Sequence, residues 1–228
     1  MTYLSINTAA ANLEIALKVG DKVFVKADNN YKKASEIANH FVDELLSENN
    51  LTLGNLDFLS VVIGPGSFTG IRIGVSMTRI FGQFGNVPLV TVDSLEVLAY
   101  EALLENNVKN KHFENIITLA DASNGFVYIA AYDASVKDAA IRFPILSPSV
   151  IKLNELNTFL STIDEPHIIV AEKAVEALID SPNIIIPKHN GQALLNASLV
   201  SYQKNGTIPF LQILPLYIRK SQAEEQTK

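Results

Sequence analysis

Gly64-Pro65-Gly66-Ser67-Phe68-Thr69-Gly70-Ile71-Arg72-Ile73-Gly74 is the stretch from which the rest of the chain can be read. It follows Phe58-Leu59-Ser60-Val61-Val62-Ile63, an apolar run that reads as a buried strand. It leads into residues whose Ile, Val, Met and Phe spacing is helical. A strand, a glycine turn and a helix start bring backbone N–H groups and a helix dipole to one point. Pro65 fixes one φ angle, while Gly64 and Gly66 permit angles that a side chain forbids. Ser67 or Thr69 can cap the helix with a hydroxyl. Such a loop suits an anion, with Gly64, Gly66, Ser67 and Thr69 as the expected phosphate or nucleotide contacts. It lacks both the lysine of a P-loop and the GxGxxG spacing, so the loop alone leaves the question open.

Upstream, Tyr3–Thr8, Leu13–Val19 and Lys22–Ala27 read as strands of an antiparallel meander, turning at Ala9–Asn12 and Gly20-Asp21. A helix over 33–48 follows, then the strand 56–63, the glycine loop, a helix over 69–84 and a strand over 88–92. Asp93-Ser94 caps a helix over 95–105. The polar joint Asn106–Lys111 separates this βββαβαβα series from a similar one. Its strands are expected at 116–119, 127–132 and 140–146, with a helix at 153–162. A strand at 168–170, a helix at 173–179, a strand at 184–186 and a helix at 191–204 complete it. The fold class is α/β: two tandem βββαβαβα-like domains of the ribonuclease H-like fold that actin, sugar kinases and Hsp70 nucleotide domains duplicate. Expected boundaries are 1–108 for the first domain and 109–204 for a smaller, degenerate second one. The tail 205–228 is expected to dock back on the first.

The chain has 228 residues, is 48% hydrophobic and carries a formal charge of −6. That length supports two small domains with a real core. Without cysteine there is no disulfide framework, thiolate zinc site or thiol nucleophile. Met1 to Leu17 is interrupted by Asn7, Asn12 and Glu14, so it reads as neither signal peptide nor anchor. No apolar run approaches the roughly 20 residues that cross a bilayer. A cytoplasmic protein that does not touch the membrane is expected. Residues 1–108 hold 7 Lys/Arg against 12 Asp/Glu. The densest basic groups, Lys32-Lys33 and Lys109/Lys111, both lie next to acidic residues, so tRNA is expected as an indirect partner only.

The glycine string closely resembles the signature of the TsaB (YeaZ) family, the non-catalytic partner of TsaD in making threonylcarbamoyladenosine on tRNA. Ser35-Glu36 before a helix that ends Asp43-Glu44-Leu45-Leu46 is similar to the family's first helix, as is Thr91–Ala99 to the region after its fifth strand. Leu119-Ala120-Asp121-Ala122 with Val127-Tyr128 resembles its Asp-Ala-Arg…Val-Tyr stretch, with Ser123-Asn124 and Phe126 standing where Arg–Arg or Arg–Lys and an acid are expected. Pro215-Leu216-Tyr217-Ile218-Arg219 looks like its Pro-x-Tyr-x-Arg ending. Residues 135–205 carry little resemblance. It implies a scaffold or activator subunit, inactive on its own, for the transferase acting at adenosine 37 of ANN-decoding tRNAs. Its implied partners are a TsaD-like subunit, a TsaE-like ATPase in the same complex and a second copy of itself. It implies no required cofactor, with room for weak ATP or ADP binding at a partner interface.

Two observations exclude neighbouring chemistries. TsaD proteins carry a His-x-x-x-His metal motif where this chain reads Asn30–Glu36 without histidine. His40, His112, His167 and His189 are scattered, so no metal site and no protease is expected. Nucleotide-hydrolysing relatives of actin place an Asp at the end of strand one, where Asn7 stands here. Asn lacks the charge that divalent ions favour. No catalytic residue is expected; the alternative reading is a small actin-like nucleotide-binding kinase or ATPase.

On a helical wheel, Ala34, Ile37, Ala38, Phe41, Val42, Leu45 and Leu46 cover half of the helix over 33–48. The helix over 69–84 has two apolar sides: Ile71, Val75 and Gly82 on one, and Ile73, Met77, Ile80, Phe81 and Phe84 on the other. Arg72, Ser76, Arg79 and Gln83 lie between. A helix with two apolar sides must cover both. Combined with the family's use of these helices, this predicts a partner interface at Ile37, Phe41, Leu45, Ile71, Arg72, Gly74, Val75 and Arg79, with Gly74 at the closest contact.

Overall fold

A computed structural model describes residues 1–10, 12–28, 34–105, 108, 112–135, 140–179, 181 and 184–219. Several expectations fall wholly or partly outside these: Ala11 of the first turn, the stretch 30–33 with Lys32-Lys33, the polar joint at 106–111 with Lys109 and Lys111, and the tail beyond Arg219.

The element order is β1 (Thr2–Asn7), β2 (Leu13–Val19), β3 (Lys22–Asp28), α1 (Ala34–Glu48), β4 (Phe58–Val62), α2 (Phe68–Gly85), β5 (Leu89–Val92) and α3 (Ser94–Leu104). It then repeats as β6 (Asn115–Asp121), β7 (Phe126–Ser135), β8 (Ala140–Lys152), α4 (Leu153–Leu160), β9 (His167–Ala171), α5 (Lys173–Glu176), β10 (Ile184–Ile185) and α6 (Gly191–Asn205). The described residues form two five-stranded sheets, ordered β3-β2-β1-β4-β5 and β8-β7-β6-β9-β10. In each, three antiparallel strands lead into parallel ones. The same strand order twice is the tandem expected from the sequence.

The units differ from the expected boundaries at 108 and 204. One comprises Met1–Ser94 with Asn190–Leu216; the other comprises Leu95–His189 with the segment that begins at Tyr217. The last helix of each series is thus exchanged: α6 belongs with the first sheet and α3 with the second. The tail is split as well. Ile208 bridges Leu89 at the edge of β5, while Arg219 donates to the carbonyls of Ala122 and Ser123.

Side chains explain where α6 goes. Ser60 Oγ lies 2.7 Å from Ser5 Oγ and 2.8 Å from Ser198 Oγ, and Ser5 Oγ donates to Ser198 Oγ at 2.9 Å. Ser198 Oγ donates onward to Leu194 O at 2.7 Å. This hydroxyl triangle joins β1, β4 and α6, and all three serines are fully buried. Beside it, Tyr3, Phe58 and Tyr202 stack at centroid distances of 4.5 and 4.6 Å. With α1 and α2 also packed on this sheet, β1 and β4 are buried along nearly their whole length rather than alternating. In the second unit α3 is buried almost all round, from Leu95 to Leu103. The β6–β7–β9 core of Ile117, Leu119, Ile129 and Ile169 packs on Leu156 and Leu160 of α4. The outer strand β8 carries Pro144 and Pro148, which blunt an exposed edge.

The triangle yields a non-additivity test. Ser198→Ala strands a buried hydroxyl hydrogen and should cost about 1–3 kcal/mol. Replacing Ser5, Ser60 and Ser198 together by Ala removes every partner at once. Denaturant unfolding should show the triple variant losing less than the sum of the three single losses.

Candidate functional site

The glycine loop is assembled from the end of β1 outward. Asn7 is buried, and its Oδ1 accepts the Ala9 N–H at 3.1 Å, turning the chain after β1. Ala9 O then accepts the Ser67 N–H at 2.9 Å. Gly66, at φ 154°, is the residue that lets the two backbones come this close, because a Cβ there would run into Ala9 O. Thr8 Oγ1 donates to Gly70 O at 2.7 Å. On the other side, Gly64 O accepts the Ser94 N–H at 3.0 Å and Ser94 Oγ donates to Pro65 O. Ile63 O accepts the Leu216 N–H at 2.8 Å. The loop is therefore held by three other segments of the chain.

This arrangement bears on the expected anion contacts. Gly64, Gly66, Ser67 and Thr69 do share one turn, but Ser67 N–H is spent on Ala9. Gly70 N–H donates to Ser67 Oγ at 3.2 Å, the N-cap bond of α2. Gly64 is buried beneath Ile71 and Leu216, which leaves Thr69 as the exposed member. Two donors that a phosphate would need hold the fold instead.

The helix faces require a correction. Leu45, Ile71, Gly74 and Val75, all expected at a partner interface, are buried within the first unit. A Cβ on Gly74 would run into Thr8 Oγ1 and crowd Val61, so this glycine permits close approach to the chain's own sheet. Ile37, Phe41 and Arg79 are half-buried and Arg72 is exposed. The outward side of α2 is the one the wheel assigned to Ile73, Ile80, Phe81 and Phe84. Ile80 is 53% and Phe84 79% exposed, while Met77 of that side is buried. The 3-10 turn Phe210–Gln212 packs against α2 and adds Leu211, 66% exposed. Both sides of α2 are apolar, so hydrophobicity could not choose between them; the glycines at 70 and 74 were the signal that could.

Charge is segregated across the two helices. α2 carries Arg72 and Arg79 and no acidic residue, and neither does the stretch 206–219. Arg72 lies over the Phe68 ring at 4.0 Å. α1 carries Glu36, Asp43, Glu44 and Glu48. Lys26 bridges Glu44 at 2.8 Å and Glu48 at 2.9 Å, and its hydrogen bond holds the Glu44 carboxyl below the usual carboxylate range. Among the described residues no three His, Asp or Glu side chains are grouped to hold a metal ion, and no helix is long and apolar enough to cross a membrane.

A family model described as TsaD, tRNA N6-adenosine threonylcarbamoyltransferase, matches residues 28–200. The chain belongs to the TsaD family. Its relatives include TsaB, the tRNA threonylcarbamoyladenosine biosynthesis protein, of Bacillus subtilis (strain 168). That protein is 34% identical over 134 residues, 58% of this chain and 55% of the relative. The chain spans about half the length of the curated relatives it matches. YeaZ from Pseudomonas aeruginosa superposes with a TM-score of 0.78 over 95% of this chain and 99% of its own, at 19% identity. A Pseudomonas aeruginosa protein described as similar to peptidase YEAZ gives 0.81 over 96% and 99%, also at 19%. These two show the fold. Within the TsaD family, the resemblance of the glycine string is to TsaB (YeaZ) members.

Gly74→Leu is the direct check on the corrected face. Overpacking against Thr8 and Val61 should cost about 1–3 kcal/mol. The expected result is a lower melting temperature for the isolated chain; an unchanged one would return Gly74 to the surface.

Proposed function

We propose that this TsaD-family chain is a non-catalytic subunit of the system that makes N6-threonylcarbamoyladenosine at position 37 of ANN-decoding tRNAs. It acts by binding a TsaD-like transferase through the α1–α2 face. Support comes from the family match and from the similarity to proteins named TsaB. The single observation that carries the mode of action is the exposed apolar edge of α2. Ile80 and Phe84, one turn apart on α2, are exposed apolar side chains, with the half-buried Ile73 and Phe81 on the same side of the helix. Ile37 and Phe41 of α1 contribute the neighbouring half-buried surface.

The chemistry fits a scaffold better than a kinase or ATPase. At the loop, Ser67 and Gly70 N–H groups are committed to the chain, and Asn7 offers Ala9 a neutral oxygen where a metal-dependent hydrolase places a carboxylate. In this reading no cofactor is required, any nucleotide is held weakly and with the partner, and tRNA is met through the complex. A TsaE-like ATPase joins the same cytoplasmic assembly. A second copy covers the strip when the transferase is absent.

Co-expression with the cognate TsaD-like protein, followed by size-exclusion chromatography, tests this. The wild-type chain should co-elute with it. Ile80→Asp with Phe84→Asp should keep the fold, since both side chains stand in solvent, and weaken association about tenfold or more, at roughly 1.4 kcal/mol per decade. Co-elution that survives the double variant would move the interface elsewhere; two folded proteins that never co-elute would end the scaffold reading.

A further inference from the structure

The chain leaves the second unit through Lys188 and His189 and enters α6 at Asn190, whose Oδ1 caps the helix by accepting the Gln192 N–H at 2.9 Å. Both residues before that cap are tied to α3 or to the residue that follows it. Lys188 N–H donates to Glu105 Oε1 at 3.0 Å, and His189 Nδ1 lies 3.1 Å from Glu101 Oε1. Glu101 is 2% exposed, whereas the His189 side chain is 34% exposed. A carboxylate withdrawn from water is therefore paired with a ring that can still exchange its proton with solvent.

The charged groups around this ring are unevenly divided. α3 contributes Glu101, and Glu105, just past its last residue, holds the Lys188 N–H. From the strand ends come Glu172, after β9, and Asp121, at the end of β6, with the Asp121 N–H donating to Glu172 Oε2 at 3.0 Å. Burial lifts the Glu172 carboxyl above the usual carboxylate range, and proximity to His189 pulls it back. Lys188 is the adjacent cation in the chain. The carboxylates shown close to the ring are Glu101, in direct contact, and Glu172, and a neighbouring negative charge favours an imidazole's charged form.

We propose that His189 and Glu101 form a proton-operated clasp on the segment that carries the chain from the second unit into α6. The imidazolium makes a charge-assisted bond to Glu101, roughly twice as strong as the neutral bond that remains once the proton is lost. The sign follows. The extra hold is fully present below about pH 6.5, the ordinary histidine value, and is lost as pH rises past the point at which His189 in the folded chain releases its proton. What the clasp governs is local opening of the segment 184–190, while α6 itself stays anchored to the first sheet by Ser198 and Tyr202.

Hydrogen–deuterium exchange on the full chain tests the clasp, with rates corrected for the intrinsic pH effect. Protection at residues 184–190 should fall about tenfold between roughly pH 6 and pH 8.5 in the wild type. Glu101→Gln keeps the shape and removes the charge that touches the ring, so its corrected protection should depend on pH clearly less than in the wild type. An equal pH response in wild type and Glu101→Gln, or none in the wild type, overturns the proposal. Should Glu101→Gln fail to fold, an NMR titration of the wild-type histidines decides. A His189 midpoint clearly above about 6.5 supports the clasp, and one at or below it overturns it.

Discussion

The backbone of Ala9 and the backbone of Ser67 meet directly, and most of the first unit is arranged so that they can. Their bond of 2.9 Å joins the turn after β1 to the start of α2 without an intervening side chain. Asn7 shapes one partner, Gly66 leaves room beside the other, and Thr8 repeats the connection to Gly70 O. Gly74 extends the same close approach one turn further along the helix. A helix seated this tightly has its inward side decided by the backbone rather than by hydrophobicity. The opposite side, although nearly as apolar, is left to face outward. Thus the glycine string that suggested an anion cradle acts first as a packing device, and the outward-facing Ile80 and Phe84 are its consequence.

The element order was legible because each strand and helix announces itself locally: apolar runs of strand length, capping serines, glycine turns. Every expected strand and helix has a counterpart among the described residues. What could not be read was which sheet each closing helix joins. That choice rests on contacts between residues far apart in the chain, Ser198 with Ser5 and Ser60, and Tyr202 with Phe58. A serine in a helix looks like any surface serine until its two partners are known. The partner face failed for a related reason. A wheel groups residues by angle but does not say which group faces the sheet, and Gly74 was assigned to an outside partner when its neighbour is Thr8.

Charge adds a constraint on whatever covers the strip. The chain is acidic overall, yet α2 and the stretch 206–219 contain no carboxylate side chain, while α1 is acid-rich. In the reading proposed above, a partner would meet apolar and positive surface from α2 and negative surface from α1. Such a pattern fixes orientation and speeds encounter more than it deepens affinity. In the reading proposed above, a second copy would present the same segregated pair and could match it by two-fold symmetry.

The two units use one local device and then diverge, and the divergence explains why the strip lies where it does. Asn7 Oδ1 accepts the N–H two residues on, from Ala9; Asp121 Oδ1 does the same for Ser123 at 2.8 Å. Both first strands thus end in the same side-chain-closed turn. In the first unit the neighbouring parallel strand answers with the glycine loop, backbone against backbone, and launches the 18-residue α2. In the second unit the answer at the end of β9 is a side chain, the Glu172 carboxylate accepting the Asp121 N–H. The helix that follows is only four residues long. A side-chain bridge takes more room than two touching backbones and does not fix a helix axis. The four-residue α5 offers no long apolar side to a partner. Among the described residues, the helix that follows the strand parallel to the first strand is long and has an exposed apolar side in the first unit and is four residues long in the second.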